Sequence, residues 1–172
     1  MKLIFALCGK PGAGKTALAT RIAGNYKSVI FSADKIMLKL FGEIAERSLF
    51  EQKLKLCKEI IYETSDGILA NSNLNIIFDF GFWTRDERKA LINRFNKYKV
   101  IFIYLNVNDD ILWERIENRN KNLKEGEYRF DREMFNFLSK LFDEFDDNEE
   151  YIIFKNIPQL KSEIRNIISK DL

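Results

Sequence analysis

The sequence predicts an α/β protein built around a mostly parallel β-sheet. Two observations carry this prediction. Short apolar runs alternate along the chain with segments whose apolar residues repeat at helical spacing. A glycine-rich loop follows the first apolar run and leads directly into the first helical segment. Because strands that alternate with helices form βα units, we expect parallel strands; their order in the sheet does not follow from the pattern.

The length and composition fit one globular domain. The chain has 172 residues, of which 46% are hydrophobic and 31% are charged, so it can bury a core without disulfides or metals. It contains no linker rich in glycine, serine or proline and no internal repeat that would divide it. We therefore expect residues 1–172 to form a single domain.

The first half of the chain follows a regular order of elements. Strands are predicted at 2–8, 28–31 and 74–78, and helices at 15–24, 34–41 and 43–70. The run at 2–8 is apolar after its first residue, as in a strand buried on both faces. The long helix is predicted because its residues step by four and three along one face, namely Phe50, Leu54, Cys57, Ile61, Thr64 and Ile68.

The second half of the chain continues the alternation. Helices are predicted at 84–96, 109–119, 131–145 and 160–168, and strands at 99–105 and 151–154. Thr84 and Glu87 have the spacing of a capping box, in which two side chains satisfy backbone N–H groups at the start of a helix. The polar residues 120–129 are predicted to form a loop.

The composition excludes several kinds of chemistry. The chain contains no histidine, which rules out Ser-His-Asp and Cys-His catalysis and histidine-bearing metal sites. Proton transfer must then use carboxylates, lysine, tyrosine or cysteine. The two cysteines, Cys8 and Cys57, make no disulfide framework or zinc site and fit buried thiols in a reducing compartment.

Charge and hydropathy favour a soluble cytoplasmic protein. The net charge is +2, so no strong field favours nucleic acid or a membrane surface. No apolar run reaches the roughly 18 residues of a transmembrane helix. The apolar run after Met1 is too short for a signal peptide. These patterns leave the oligomeric state open.

The glycine-rich loop carries the most specific motif in the chain. Residues 9–16, Gly-Lys-Pro-Gly-Ala-Gly-Lys-Thr, match G-x-x-x-x-G-K-[ST] at every fixed position. Glycines let successive backbone N–H groups surround an anion, and the following helix adds the positive end of its dipole. In this motif Lys15 reaches the β- and γ-phosphates and the Thr16 hydroxyl ligates Mg²⁺. The loop predicts phosphate binding, whereas Lys10 is expected to be a solvated side chain.

Two aspartates follow predicted strands at the sheet edge where α/β proteins bind ligands. Asp79 comes directly after the strand at 74–78, and we interpret it as a carboxylate that serves Mg²⁺; the alternative is a residue of a turn. Asp34 comes just after the strand at 28–31. It fits either a general base for an acceptor hydroxyl or the N-cap of the next helix.

Four arginines are candidates for binding phosphate. Arg115 and Arg119 lie four residues apart on one helical face, where they can neutralise a transferring phosphoryl group; the alternative is a solvated helix end. Arg85 and Arg88 occupy the first turn of a helix, where the dipole disfavours cations. This misfit indicates an anionic ligand or compensation by acidic neighbours. The adjacent aromatic residues fit a pocket wall or, more commonly, the core: Phe80, Phe82 and Trp83.

Taken in chain order, several segments resemble the small P-loop kinases of the AAA-domain ATP-binding family, which is grouped with polynucleotide 5′-kinase domains, chloramphenicol phosphotransferase and the zeta toxins. These segments are residues 9–16, 32–34, 41–42, 77–79 with Arg85 and Arg88, and 114–119. The resemblance implies a three-layer α/β/α P-loop fold with a five-stranded parallel sheet. It also implies Mg²⁺-dependent transfer of the γ-phosphate of ATP to a hydroxyl group.

The same resemblance assigns roles to individual residues. It places Asp34 at the acceptor-activating position, Asp79 at the Walker B position and Arg119 in a lid formed by about residues 120–129. Residues 114–119 are also similar to the lid entry of adenylate kinases, where the first arginine lies against adenine and the second contacts phosphates. The predicted nucleotide-binding residues are Gly9, Pro11, Gly12, Ala13, Gly14, Lys15, Thr16, Ala17, Arg115 and Arg119.

We therefore expect an ATP-dependent kinase that acts on a small hydroxyl-bearing molecule. The catalytic candidates are Lys15, Asp34 and Arg119, and the metal candidates are Thr16 and Asp79. Polynucleotide kinases carry an arginine three residues after the base, where this chain has Met37, which argues against a nucleic-acid end. The nearest alternative is a kinase of a nucleotide, a nucleotide-sugar or a nucleic-acid end, including a toxin-like one. A non-catalytic nucleotide-binding module and an NTPase switch are alternatives from other classes.

Overall fold

Five parallel strands form the centre of the structure, a computed structural model that describes residues 1–124 and 127–170. The strands are β1 (Leu3–Cys8), β2 (Ser28–Phe31), β3 (Asn75–Gly81), β4 (Lys99–Tyr104) and β5 (Tyr151–Ile153). They lie in the order β2-β3-β1-β4-β5, and every pairing is parallel. The predicted parallel sheet is confirmed, and β1, which carries the glycine-rich loop, is its central strand.

Helices cover both faces of the sheet. They are α1 (Lys15–Ala23), α2 (Ala33–Phe41), α3 (Arg47–Asn71), α4 (Arg85–Arg94), α5 (Asp109–Lys121), α6 (Arg132–Lys140) and α7 (Ile157–Lys170). Alternate residues of β1 point to opposite faces: Phe5 packs with α1, α5, α6 and α7, whereas Ile4 packs with α2, α3 and α4. The resulting three layers confirm the α/β/α architecture that the family resemblance implied.

Two helix boundaries differ from the sequence prediction. The long helix α3 begins at Arg47 rather than at residue 43, because the Glu46 side chain accepts bonds from the N–H groups of Ser48 and Leu49 and caps the helix there. Helix α6 ends at Lys140 rather than at residue 145. The following segment turns back, where the backbone N–H of Asp143 donates to the Trp83 carbonyl at 2.8 Å. A local cap thus decides where α3 begins, and a tertiary contact decides how the chain continues after α6.

The strand that carries Asp79 is longer than predicted and contains an irregularity. Strand β3 continues through Gly81, so Asp79 lies within the strand rather than after it. The register between β1 and β3 shifts by one residue between the pairs Ala6–Phe78 and Cys8–Gly81. A β-bulge of this kind redirects nearby side chains, and this one lies beside the glycine-rich loop.

The start of α4 agrees with the sequence. The Thr84 side chain accepts from the Glu87 N–H, and the Glu87 side chain accepts from the Thr84 N–H, so the predicted capping box is confirmed. Both cysteines, Cys8 and Cys57, are free and buried, as predicted. In residues 1–124 and 127–170, no helix combines the length and the apolar character that crossing a bilayer requires.

Candidate nucleotide-binding and phosphotransfer site

The glycine-rich loop joins the central strand to α1 in a conformation that requires glycine. Gly12 has a φ of 82°, and a Cβ atom there would lie 2.8 Å from the Leu112 carbonyl oxygen of α5. Gly14 has a φ of 96° and occupies the N-cap position of α1. Because L-residues rarely adopt such angles, the glycines let the loop turn sharply and pack against α5.

The loop presents its later residues to solvent. Gly9, Pro11 and Ala13 are buried, whereas Gly14, Thr16 and Ala17 are exposed. The exposed residues surround the first turn of α1, whose leading N–H groups have no partner within the helix. This turn is therefore the part of the predicted set that is open to solvent, and the buried residues shape the loop behind it.

Lys15 spans the loop with its side chain. Its Nζ donates to the carbonyl oxygens of Gly9 at 2.8 Å and Lys10 at 3.1 Å. The surrounding protein lowers the pKa of Lys15, and the negative charges of Asp79 and Asp34 oppose that shift. The cation thus lies in the mouth of the loop with two carboxylates in electrostatic reach.

Thr16 and Asp79, the two predicted metal residues, are in direct contact. Thr16 Oγ1 donates to Asp79 Oδ2 at 2.7 Å, and Asp79 is only 4% exposed. The contact joins the first turn of α1 to β3 and places a hydroxyl and a carboxylate together beside the loop. Mg²⁺ prefers such oxygen ligands and keeps several waters, so the donor set fits this ion.

Asp34 lies in the first turn of α2, at the end of β2. Helix α2 begins at Ala33 with Ser32 at the N-cap position, so the alternative interpretation of Asp34 as the N-cap is wrong. Within the described residues the carboxylate makes no hydrogen bond or ion pair, and Asp34 is exposed. Protein atoms around it raise its pKa, Lys15 opposes this shift, and Asp79 adds to it.

A groove lies beside the contact between Thr16 and Asp79. It has a volume of about 300 Å³ and lies between α1, α2 and the ends of β2 and β3. Its lining residues are Thr16, Thr20, Ile30, Phe31, Ser32, Lys35, Ile36 and Asp79. The groove opens next to the Thr16–Asp79 contact, on the Asp34 side of the loop.

Arg115 and Arg119 both lie on the side of α5 that faces the glycine-rich loop. Arg115 is exposed, and its Nη1 is 3.5 Å from the Gly12 carbonyl oxygen. Arg119 is half-buried: its Nη2 donates to the Tyr128 carbonyl at 3.2 Å, and its guanidinium lies over the Phe130 ring at 5.2 Å. Arg119 lies in the last turn of α5, as the alternative interpretation required, but it is half-buried rather than solvated, whereas Arg115 lies one turn earlier and is exposed.

The predicted loop at 120–129 is only partly a loop. Its first two residues belong to α5, and Glu125 and Gly126 lie outside the described residues. On the return path, the Asn120 side chain donates to the Phe130 carbonyl at 2.6 Å and accepts from the Phe130 N–H at 3.3 Å. The segment is thus tied back to the end of α5, beside the two arginines.

Lys10 is not the solvated side chain that the sequence suggested. Its Nζ is 2.8 Å from Asp109 Oδ1 at the start of α5, and its side chain is 19% exposed. The ion pair ties the glycine-rich loop to α5 and leaves Lys15 as the loop lysine that faces the two carboxylates.

Arg85 and Arg88 bind acidic side chains of the protein. Arg88 is fully buried, forms two hydrogen bonds with the Glu149 carboxylate and also donates to the Phe82 carbonyl at 3.3 Å. Arg85 lies 3.1 Å from Asp146. The misfit in the first turn of α4 is thus explained by distant carboxylates, not by a ligand or by the adjacent acids. The neighbouring aromatics Phe80 and Phe82 are buried in the core.

The Arg88–Glu149 pair provides a test of stability. Glu149→Ala is expected to destabilise the fold by about 3–5 kcal/mol, because it leaves a buried guanidinium without its counter-charge. Equilibrium urea unfolding measures this difference. Glu150→Ala is the matched control: its carboxylate is 60% exposed in a pair with Lys99, so the loss should stay below about 1 kcal/mol. Equal losses in the two variants would contradict the interpretation.

One residue at the site was not singled out from the sequence. Tyr128 lies between Arg119 and α3, where its ring contacts Phe50 with the centroids 6.0 Å apart. The available signal was that it is the one aromatic residue in the otherwise polar run 120–129. Its contact with α3 depends on long-range packing and could not be predicted.

The geometry defines a class of protein. A central strand, a glycine-rich loop closed over a lysine, and a threonine bonded to an aspartate of the neighbouring strand together form the phosphate-binding unit of a P-loop nucleotide-binding protein. The family comparison agrees. Residues 4–142 match the model of an AAA domain family, which is most of the chain, and the protein belongs to this family.

Solved structures share this fold, and the chain is similar in sequence to an adenylate kinase. A protein from Chloroflexus aurantiacus classed as a kinase aligns with a TM-score of 0.70 at 16% identity, covering 96% of this chain and 97% of the other. Kti12 from Chaetomium thermophilum, solved with ADP-AlF3, aligns with a TM-score of 0.67 at 14% identity over 96% and 97%. Adenylate kinase from Helicobacter pylori strain G27 is 28% identical over 153 residues, covering 82% of this chain and 80% of that protein.

Proposed function

We propose that this protein is an ATP-dependent kinase that transfers the γ-phosphate of ATP to a hydroxyl group of a small molecule. The single observation that carries the proposal is the carboxylate of Asp34. It is exposed, makes no hydrogen bond or ion pair within the described residues, and lies in electrostatic reach of Lys15. A carboxylate in this position suits the removal of a proton from an acceptor hydroxyl.

The glycine-rich loop and α5 bind the nucleotide in this proposal. The first turn of α1 holds the phosphates through its N–H groups, and Lys15 leaves the carbonyl oxygens of Gly9 and Lys10 to bind the β- and γ-phosphates. Thr16 and Asp79 would hold Mg²⁺, which when bound neutralises charge on the β- and γ-phosphates. Arg115 is placed to meet adenine at the surface of α5.

The acceptor meets the γ-phosphate at Asp34. The acceptor oxygen forms a bond to the γ-phosphorus, the bond from that phosphorus to the bridging oxygen of ADP breaks, and the hydroxyl proton passes to Asp34. Lys15 and Arg119 stabilise the charge that spreads over the transferring oxygens. We propose that residues 120–129 act as a lid that closes over this step and excludes water. The buried free thiols favour the cytoplasm as its location.

A nucleoside monophosphate is the second candidate acceptor. The likeness to an adenylate kinase favours it, because that enzyme's name implies a phosphate acceptor. Two features of the site oppose it. Asp34 would repel an anionic acceptor, and Arg85 and Arg88 are occupied by the carboxylates of Asp146 and Glu149.

A coupled assay of ADP release tests the proposed function. Candidate acceptors are glycerol, D-ribose, adenosine, AMP and an oligonucleotide with a 5′-hydroxyl end, with Asp34→Asn as the control enzyme. We expect acceptor-dependent ADP release with a hydroxyl compound, which Asp34→Asn abolishes. Release that occurs with AMP alone would favour the second candidate. ADP release that no acceptor stimulates would contradict the proposed kinase activity and favour an NTPase or a binding module.

The environment of Asp34 predicts the pH dependence. Because the protein atoms around Asp34 displace water and raise the pKa of this carboxyl, the protonated, inactive form persists to higher pH than for an ordinary aspartate, whose pKa is about 3.9. Activity should fall as the pH decreases through this raised pKa. The profile of kcat/KM for the acceptor at saturating ATP reports the groups of the enzyme–ATP complex that the acceptor meets, Asp34 among them, and should show an acid limb above pH ~4. An acid limb at or below the ordinary value would contradict the assignment of Asp34 as the base.

A further inference from the structure

The segment that returns from α5 carries a tyrosine that spans the space between α5 and α3, which we call the cleft. The Tyr128 backbone carbonyl accepts from Arg119 Nη2 at 3.2 Å, so its position is fixed from the α5 side. Its ring contacts Phe50 of α3 in an edge-to-face arrangement with centroids 6.0 Å apart. Tyr128 therefore bridges the nucleotide side of the cleft, formed by α5, and the acceptor side, formed by α2 and α3.

The hydroxyl of Tyr128 is buried and has no hydrogen-bond partner among residues 1–124 and 127–170. Buried tyrosine hydroxyls are usually bonded, because leaving one unpaired costs the lost hydration of that group. The other groups within electrostatic reach of this hydroxyl are Asp34, Cys57 and Glu43. The ring contact with Phe50 places Tyr128 against α3, and the proposed base Asp34 lies in electrostatic reach of its hydroxyl.

We propose that Tyr128 is an acceptor-binding residue, whose hydroxyl donates a hydrogen bond to a second oxygen of the molecule that Asp34 activates. The inference rests on the proposed function and narrows its substrate class. An acceptor held in this way carries two neighbouring oxygens, as in a polyol or a sugar: one loses its proton to Asp34, and the other accepts from Tyr128. A simple monohydric alcohol offers only the first.

The kinetic test uses Tyr128→Phe, which keeps the ring on Phe50 and removes only the hydroxyl. Wild type and variant are assayed with glycerol, D-ribose and 1-propanol as acceptors. We expect the acceptor KM for the polyols to rise about 3- to 10-fold, the range for losing one neutral hydrogen bond, with the KM for ATP unchanged. We also expect wild type to prefer the polyols to 1-propanol. Tyr26→Phe is the matched control, because Tyr26 packs on Phe5, away from the cleft.

A second measurement tests the geometry without any acceptor. Tyrosines labelled with ¹³C at Cζ give one NMR signal for Tyr128, assigned by its loss in Tyr128→Phe. This signal should shift in Asp34→Asn and stay in place in Asp66→Asn, whose carboxylate lies in a surface pair with Arg94. An unmoved Tyr128 signal in Asp34→Asn would overturn the inference.

The outcomes separate this inference from the proposed function. If wild type transfers phosphate and Tyr128→Phe has the same acceptor KM, only the role of Tyr128 is overturned. If wild type transfers phosphate to no acceptor while binding ATP normally, the proposed function is overturned and this inference with it. A raised acceptor KM in Tyr128→Phe, together with a normal KM in Tyr26→Phe, supports the inference.

Discussion

Replacing Lys15 by alanine is expected to abolish turnover, with a loss of at least about 10²–10³-fold in kcat/KM for ATP. The lysine is the cation within the loop that can meet the charge developing on the transferring phosphoryl group, and its Nζ already lies among the loop carbonyls, 2.8 Å from the Gly9 oxygen. A neutral methyl group supplies neither charge nor hydrogen bonds. Calorimetry of ATP binding with Mg²⁺, together with the ADP-release assay, measures the effect.

Lys10→Ala is the matched control for that experiment. Lys10 lies on the same loop and carries the same charge, but it pairs with Asp109 at 2.8 Å rather than facing the carboxylates of the site. Its loss should change ATP binding by only a few-fold, since a partly exposed pair contributes about 0–1 kcal/mol. A Lys15→Ala variant that binds and turns over ATP as well as Lys10→Ala would contradict the role of Lys15.

Asp34→Asn and Asp79→Asn are expected to fail in different ways. In the proposed reaction Asp34 acts on the acceptor in the transition state, so Asp34→Asn should lower kcat by about 10²–10⁴-fold and leave ATP affinity unchanged. Asp79 contacts Thr16 at 2.7 Å where Mg²⁺ would bind. Asp79→Asn should therefore weaken ATP binding in the presence of Mg²⁺ and have little effect on ATP binding in EDTA.

The two substitutions control for each other, because each removes one negative charge near Lys15. Titrations of ATP into both variants, with Mg²⁺ and with EDTA, are compared with single-turnover rates. Normal turnover in a folded Asp34→Asn variant would remove Asp34 from the mechanism. A Mg²⁺-dependent affinity in Asp79→Asn equal to that of wild type would remove Asp79 from the metal site.

Much of the fold could be predicted because its signals are local. The central strand is a continuous apolar run, the glycine-rich loop has a fixed spacing, and Thr84 with Glu87 caps α4 as their spacing indicates. The ends of α3 and α6 were less predictable. Each is decided by a contact that helical periodicity does not encode, namely the cap by Glu46 and the turn of the chain at Asp143.

In the candidate site, too, the residues of a local motif could be predicted, whereas contacts between residues distant in sequence could not. Lys15 and Thr16 follow from a motif, because the loop's function depends on consecutive residues and on glycine's access to positive φ angles. The assignment of Arg85 and Arg88 to a ligand or to adjacent acids was wrong, because their partners lie about sixty residues further along the chain at Asp146 and Glu149. Charge alone does not show which opposite charge folding brings near.

The sequence by itself determined the α/β class, the position of the glycine-rich loop and the choice of two aspartates near the carboxyl ends of β2 and β3. Only the tertiary structure decided the strand order, the contact of Thr16 with Asp79, and the position of Tyr128 across the cleft from α5 to α3. The physical reason is the range of the interactions. Backbone propensity and side-chain period act over a few residues, whereas strand order and the meeting of distant side chains result from how the helices pack on the two faces of the sheet.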